Sequence, residues 1–235
     1  MQEIKVIKIG GSTVSKDKDN VFDYSFIASL EKVLMPFVEQ GTKFFLTLGG
    51  GYTSRRYRDL AIEQGISTIE QHWIGTTVNV LHAQLVKSYF EKVADDRVIK
   101  FEDYYDESEM KIEKGILTGG GGRPGHSGDV DAILVAQKLG TKTVISLKNV
   151  DGVYDADPSK NPEAIRMDKL TWDEYLDIIG NKSEHEPGGN YPIDPIASRM
   201  AQEAGIEFLI MGSEDLSNLR LALNNEKFVG TIVKD

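Results

Sequence analysis

Apolar runs in this chain repeatedly stop at glycine. Residues 4–9 lead into Gly10-Gly11-Ser12, residues 44–48 into Gly49-Gly50-Gly51, residues 116–118 into the glycines at 119–122, and residues 143–147 into Asn149-Val150-Asp151-Gly152. Two further runs, 207–211 and 231–233, lack such an ending. Between the runs, residues 30–38, 60–62, 81–90, 172–179, 196–204 and 216–223 carry the apolar spacing of core-facing helices. Strands alternating with helices predict an α/β fold with a largely parallel sheet covered on both faces. The segments 102–109 and 181–190 read as loops. In open sheets of this kind ligands bind outside the carboxyl ends of the strands, so the glycine-bearing ends converge on one crevice.

One of these ends is the most developed. Gly119 to Gly122 continue through Arg123-Pro124-Gly125-His126-Ser127-Gly128-Asp129 into the helical pattern Ala132, Ile133, Val135, Ala136, Leu139. A strand, a glycine loop and a helix start together offer close backbone approach, unpaired N–H donors and partial positive charge to an anion. A surface loop is the structural alternative for that stretch taken alone. Four such ends exceed the needs of one anion. They suit two phosphate-bearing ligands face to face, one at Gly10–Ser12 and the other at Gly49–Gly51 and the Gly125 loop.

Positive charge stands at the same ends. Lys8 shares strand parity with Ile4 and Val6, so its stem is expected on an inward face with its ammonium beside Gly10 and Gly11. Arg55, Arg56 and Arg58 fall in the first turns after Gly51, where at least one can fork onto a phosphate. Asp129 lies in the first turn of a helix, a place stabilising for any carboxylate, and acquires a functional reading if it faces Lys8.

Composition excludes several classes. The 235 residues suffice for a packed core, and 40% apolar with 27% charged is ordinary for a globular chain. No run is apolar and long enough for a membrane span and no leader pattern opens the chain, so the expected setting is cytoplasmic. With no cysteine there is no disulfide, thiolate zinc site or cysteine nucleophile, and His72, His82, His126 and His185 lack zinc-enzyme spacing. No protein metal site is expected, although a hard cation bound through substrate phosphates stays open. A net charge of −10 argues against nucleic acid as a partner. Gly120-x-Gly122-x-x-Gly125 matches the dinucleotide fingerprint in form, but Pro124 inside it and its depth in the chain argue against a nicotinamide enzyme. GxxxxGK[ST] is absent.

Ile7-Lys8-Ile9-Gly10-Gly11-Ser12, Leu48-Gly49-Gly50-Gly51, Pro124-Gly125-His126-Ser127-Gly128-Asp129 and Asn149-Val150-Asp151-Gly152-Val153-Tyr154-Asp155-Ala156-Asp157-Pro158 together resemble the amino acid kinase superfamily. Within it the chain is most similar to archaeal-type uridylate (UMP) kinases, nearly end to end, including Ile193-Asp194-Pro195 and Val229-Gly230-Thr231-Ile232. The resemblance implies a three-layer αβα sandwich forming a single domain over 1–235. Its N-terminal part, about 1–140, would receive the phosphoryl acceptor, and its C-terminal part, 141–235, would hold ATP with Mg²⁺.

By the same resemblance Lys8 and Asp129 are catalytic, and Gly10, Gly11 and Ser12 hold the transferring phosphates. Gly50, Gly51, Arg55, Gly125 and Ser127 bind phosphate on the acceptor side. Asn149, Asp151, Gly152, Tyr154, Asp157 and Pro158 surround the nucleotide's ribose and base. Asp194 matches an acid near the nucleotide, and Asp194-Pro195 equally reads as an N-cap followed by proline at the first helical position. His72, Gly75, Asn79 and His126 line the acceptor pocket. The implied reaction is UMP + ATP to UDP + ADP in pyrimidine metabolism, carried out by a homo-oligomer, a hexamer by resemblance. Molybdenum storage proteins, more distantly similar, make an ATP-binding oxyanion protein the alternative, with a kinase of another acidic metabolite a third reading. Several positions depart from the UMP-kinase pattern. Ser127-Gly128-Asp129 stands for Thr-Thr-Asp, His72 stands near the aspartate that holds the ribose, and Asn79 and His82 stand near a threonine and an asparagine.

Overall fold

The computed structural model describes residues 3–156, 158, 160–180 and 191–235. Its centre is β1 (Ile4–Ile9), whose apolar residues alternate between two cores. Val6 packs in one core with Phe45, Leu117, Val144 and Phe208, while Ile7 and Ile9 pack in the other with Phe44, Leu46, Leu48 and Leu147. Such two-sided burial is what a near-continuous apolar strand requires.

After β1 come a one-turn α1 (Gly11–Val14), α2 (Tyr24–Glu39) and β2 (Lys43–Leu48). Next are α3 (Gly51–Glu63), α4 (Thr68–Tyr89), β3 (Ala94–Ile99), a 3-10 turn at Phe101–Tyr104, β4 (Ile116–Gly119), α5 (Gly128–Leu139) and β5 (Thr143–Lys148). The chain continues with β6 (Val153–Tyr154), β7 (Arg166–Met167), β8 (Lys169–Leu170), α6 (Trp172–Ile178), α7 (Pro195–Ala204), β9 (Glu207–Gly212), α8 (Ser217–Leu223) and β10 (Thr231–Val233).

An eight-stranded sheet runs in the order β3-β4-β2-β1-β5-β9-β10-β8. The strands from β3 to β9 in that order pair in parallel, β10 runs antiparallel to β9, and β8 is parallel to β10. β6 and β7 form a separate antiparallel ribbon. One core contains residues of α5, α6 and α7, and the other contains residues of α2, α4 and α8. This is the expected α/β sandwich, with the carboxyl ends of β1, β2, β4 and β5 together on one edge. No helix of the described residues is long and apolar enough to cross a membrane.

Helix ends follow local chemistry. Asp23 caps α2 by accepting from the Phe26 N–H at 3.0 Å, and α6 opens with a reciprocal Thr171–Glu174 capping box. α5 and α7 stop at Gly140 and Gly205, both left-handed with φ of 68° and 58°.

Two expectations need correction. Residues 60–62 do not face a core along their length: Leu60 is 39% and Ile62 52% exposed, and Ala61 is the buried member. The segment 102–109 is not simply a loop, since a 3-10 turn opens it and buries Tyr104 against the α5 core. Segment 181–190 lies outside the described residues.

Candidate active site at the strand ends

Lys8 is the penultimate residue of β1. In register it lies between Thr47 of β2 and Ser146 of β5, and by parity with Val6 it projects toward α5. There its Nζ stands 3.1 Å from Asp129 Oδ1. Lys148, the last residue of β5 and of the same parity as Val144 and Ser146, brings a second ammonium 3.5 Å from Asp129 Oδ2. All three side chains are nearly enclosed, at 12%, 11% and 5% exposure for Lys8, Lys148 and Asp129. Burial alone would raise the Asp129 pKa, but the charges of Lys148 and Lys8 outweigh it and hold the carboxyl at about 2. Burial pushes Lys148 down to about 8, with Asp129 opposing the shift and the charge of Lys8 adding to it. The result is a carboxylate holding two ammonium groups at the sheet edge.

Asp129 Oδ2 also accepts from the backbone N–H of Asp194 at 3.3 Å, tying α5 to the start of α7. The Asp194 side chain caps α7, with Oδ1 accepting from the Ile196 and Ala197 N–H groups at 2.8 and 3.1 Å. Pro195 follows at the first helical position. Lys148 was not singled out from sequence, though the alternation Val144, Ser146, Lys148 carries the same signal that marks Lys8.

The two glycine turns beside this cluster exclude side chains from each other. A methyl carbon added to Gly11 would sit 2.2 Å from the Gly51 nitrogen, and one added to Gly49 would sit 2.6 Å from the Gly11 nitrogen. Gly51 itself has φ +55°, a left-handed value that favours glycine. Ser12 follows in the single turn of α1. Ser15, buried and also unanticipated, fixes the start of α3: its carbonyl accepts from the Tyr52 N–H at 2.8 Å and its hydroxyl from the Thr53 N–H at 3.0 Å.

α4 lies along these turns. The face carrying His72, Gly75, Asn79 and His82, spaced by three, four and three residues, is a single helical stripe. Gly75 gives room to Ser54 and Arg58, whose Oγ and Cδ lie 2.9 and 3.3 Å from a carbon added there. Asn79 sits between Gly50 and Gly120: its Oδ1 and its carbonyl oxygen each lie 2.7 Å from carbons added to those glycines. His82 Nδ1 meets the Gly49 carbonyl at 2.9 Å. His72 is half-buried. Arg55 is exposed, and Arg58 is the arginine of that turn that packs inward.

The loop after β4 is held from below. The Gly122 N–H donates to Asp131 Oδ2 at 3.1 Å, and the Gly121 carbonyl accepts from the Phe101 N–H at 2.8 Å. Asp131 is 3% exposed. Burial pushes its carboxyl up to about 7 against the Gly122 hydrogen bond, with the charge of Asp129 adding to the rise. Sequence reading did not anticipate this residue. Ser127 caps α5 through its hydroxyl, which accepts from the Asp129 N–H at 3.2 Å. Gly125 is exposed with φ +85°. His126 is exposed, its Nδ1 2.7 Å from the Tyr105 hydroxyl, beside Arg123 stacked 3.9 Å over the Tyr105 ring and paired with Glu102. It therefore belongs to a surface cluster.

Beyond β5, Asp151 accepts from the Tyr154 hydroxyl at 2.7 Å and from Arg166 Nη1 at 2.9 Å. Burial raises its pKa, and these hydrogen bonds outweigh that and hold it below the usual carboxylate range. Gly152 admits Arg166 Cδ and Thr231 Oγ1, each 2.7 Å from a carbon added there. Arg166 is a further residue missed in the sequence, fifteen positions from the acid it pairs with. Asn149 and Pro158 are exposed, and Asp157 lies outside the described residues. Among the described residues no group of three or more His, Cys, Asp or Glu is placed to hold a metal.

Known proteins share this chain's sequence pattern and fold. Residues 3–212 match the amino acid kinase family. The chain is 31% identical to a uridylate kinase of Pyrococcus abyssi over 91% of its length and 92% of the relative's. It is also 31% identical to one of Methanoculleus marisnigri, over 97% and 94%. The crystal structure of uridylate kinase from Archaeoglobus fulgidus superposes with a TM-score of 0.79 at 28% identity, covering 97% of this chain and 99% of that one. The two-sided parallel sheet, the facing glycine turns and a family match over most of the length lead to one assignment: the chain belongs to the amino acid kinase family.

Proposed function

We propose that the protein is a uridylate kinase, transferring the terminal phosphoryl group of ATP to UMP. An oxygen of the UMP phosphate forms the new bond to phosphorus as the bond from phosphorus to ADP breaks, giving UDP and ADP. The observation that carries this reading is the pair of buried ammonium groups on Asp129, set beside facing glycine turns at one sheet edge. Phosphoryl transfer needs positioning and charge neutralisation more than covalent chemistry, and a preorganised cation pair in a largely enclosed place supplies both. No general base is needed when the acceptor is already a phosphate.

In this reading Gly10, Gly11 and Ser12 bind the transferring phosphates with Lys8 and Lys148, and Asp129 orients both lysines. Gly50, Gly51 and an arginine of α3 receive the acceptor phosphate. The segment from Asn149 to Pro158, with Asp194 nearby, surrounds the nucleotide. Residues 1–140 thus serve the acceptor and 141–235 serve ATP. Mg²⁺ fits as a cation carried by the phosphates, because Asp129 is already engaged by lysines and no acidic cluster is formed among the described residues. The metal would supply further charge neutralisation. The setting is cytoplasmic pyrimidine metabolism, and the assembly a homo-oligomer, supported by the exposed apolar residues of α3 and α4.

A coupled ADP-release assay across nucleoside monophosphates and small carboxylic acids tests the proposal. UMP is the expected best acceptor, and millimolar MgATP is expected to raise the melting temperature by linkage. Release of ADP with another acceptor in preference to UMP, or with none, overturns it. His72 offers one acceptor nitrogen where a carboxylate offers several lone pairs to ribose hydroxyls. Gly128 has room for a side chain, since a carbon added there meets only Lys8 Cε at 3.6 Å. His72→Asp with Gly128→Thr is therefore expected to raise kcat/KM for UMP while leaving that for ATP unchanged.

A further inference from the structure

His82, on α4, is 1% exposed and lies 5.3 Å, ring to ring, from Phe22. Burial lowers its pKa, against the opposing hydrogen bond to Gly49, so the neutral ring is favoured at physiological pH. Its partner is a carbonyl, which only accepts, so Nδ1 carries the proton and donates to Gly49 O at 2.9 Å.

Gly49 is thereby held through both of the peptide groups that flank it. Its N–H, in the Leu48–Gly49 peptide, donates to the Ile9 carbonyl at 3.1 Å, and its carbonyl, in the Gly49–Gly50 peptide, accepts the hydrogen bond from His82. In a trans peptide the C=O of one residue and the N–H of the next point in opposite directions, and the described chain contains no cis bond. Drawing Gly49 O toward α4 therefore turns the Gly50 N–H away from α4. In the following turn Ser15 already takes the Tyr52 and Thr53 N–H groups. The Gly50 and Gly51 nitrogens face the Gly11 turn, 2.9 and 2.2 Å from a carbon added at Gly11, at the strand end where a phosphate would bind.

We infer that His82 is a positioning residue for the acceptor phosphate, aiming the Gly50 N–H by fixing the Gly49–Gly50 peptide from α4. The inference rests on the kinase reading above. It gives Gly75, Asn79 and His82 a common task, since Gly75 and Asn79 pack against the same turn and the start of α3.

The test separates the hydrogen bond from the bulk of the ring. Asparagine places an amide donor at the δ position, where His82 has its own; glutamine carries the same amide one bond further out; leucine fills space without a donor. His82→Asn, His82→Gln and His82→Leu are compared with wild type for melting temperature and for KM of UMP and of ATP separately. His82→Asn is expected to keep KM for UMP within about twofold, and His82→Gln to raise it about tenfold, the cost of one misplaced hydrogen bond. His82→Leu is expected to follow His82→Gln, and KM for ATP to stay level in all. Equal KM for UMP in the Asn and Gln variants, or KM for ATP rising in step, overturns the inference and leaves the kinase reading standing. Failure of the wild type to phosphorylate UMP overturns both. Should the Leu variant not fold, the Asn and Gln comparison alone decides.

Discussion

At the scale of single residues, the site depends on which charges share Asp129. Lys8→Ala removes one ammonium from the transition state yet leaves Lys148 facing the carboxylate, so no buried charge is stranded. Phosphoryl transfer is expected to fall roughly 10²–10³-fold with little change in melting temperature. A variant that unfolds, or one as active as wild type, would show Lys8 to be structural. Asp131 makes a prediction of opposite character. Its carboxyl holds a proton up to about pH 7 in the folded protein, against a reference value of 3.8 when solvated. Between those values the folded state binds more protons than the unfolded one, so this residue's contribution to stability falls as pH rises through that window. Asp131→Asn is expected to be more stable than wild type at pH 8, on the order of 1–3 kcal/mol in denaturant titrations, with the difference shrinking toward pH 4. A constant difference at both pH values would remove the titration argument. Lys8 and Asp129 were legible in the sequence because strand parity and the helix start each point at the other. Lys148 carries the same parity signal in the alternation Val144, Ser146, Lys148, directly before the Asn-Val-Asp-Gly motif. Asp131 and Arg166 gave no local signal, since their partners Gly122 and Asp151 lie nine and fifteen residues away, beyond any helical or strand period.

At the scale of elements, the glycine turns are the constraint. Gly11→Ala would drive a carbon into the Gly51 backbone at 2.2 and 2.8 Å, contacts that only a shift of the turn relieves. The variant is expected to lose about 1–3 kcal/mol of stability and most of its activity. Alanine at Gly128, where the added carbon has 3.6 Å of room, serves as the tolerated control by thermal melting. Equal melting temperatures for the two would mean that the facing turns are looser than these distances imply. β1, β2, β4, β5, β9, β10 and the core helices could be read from apolar periodicity. β3 could not, because its sequence ADDRVI places acids where a strand pattern calls for apolar residues. The reason is tertiary: Asp95 is 3% exposed and accepts from the Glu113 and Lys114 N–H groups at 2.9 and 2.7 Å, anchoring the approach to β4. β6, β7 and β8 have two residues each, too few for any period to register.

At the scale of the whole molecule, α3 and α4 leave several large apolar side chains exposed. Tyr57, Leu60, Ile62, Ile69 and Leu81 are between 39% and 54% exposed there. Grouped exposed apolar residues mark association surfaces. Leu60→Asp with Ile69→Asp is expected to reduce the mass seen by light scattering to a smaller species while the far-UV spectrum stays native. A wild type already monomeric at micromolar concentration would remove this role. The position of β1 between β2 and β5 also sets when the molecule becomes complete. Val6 pairs with Phe45 on one edge and with Val144 on the other, so the first strand made waits for well over half the chain before its second edge is covered. Pairings so distant in sequence are slow to form, and an uncovered strand edge invites pairing with other chains. A nascent chain that ends short of Thr143 therefore carries its central strand half exposed.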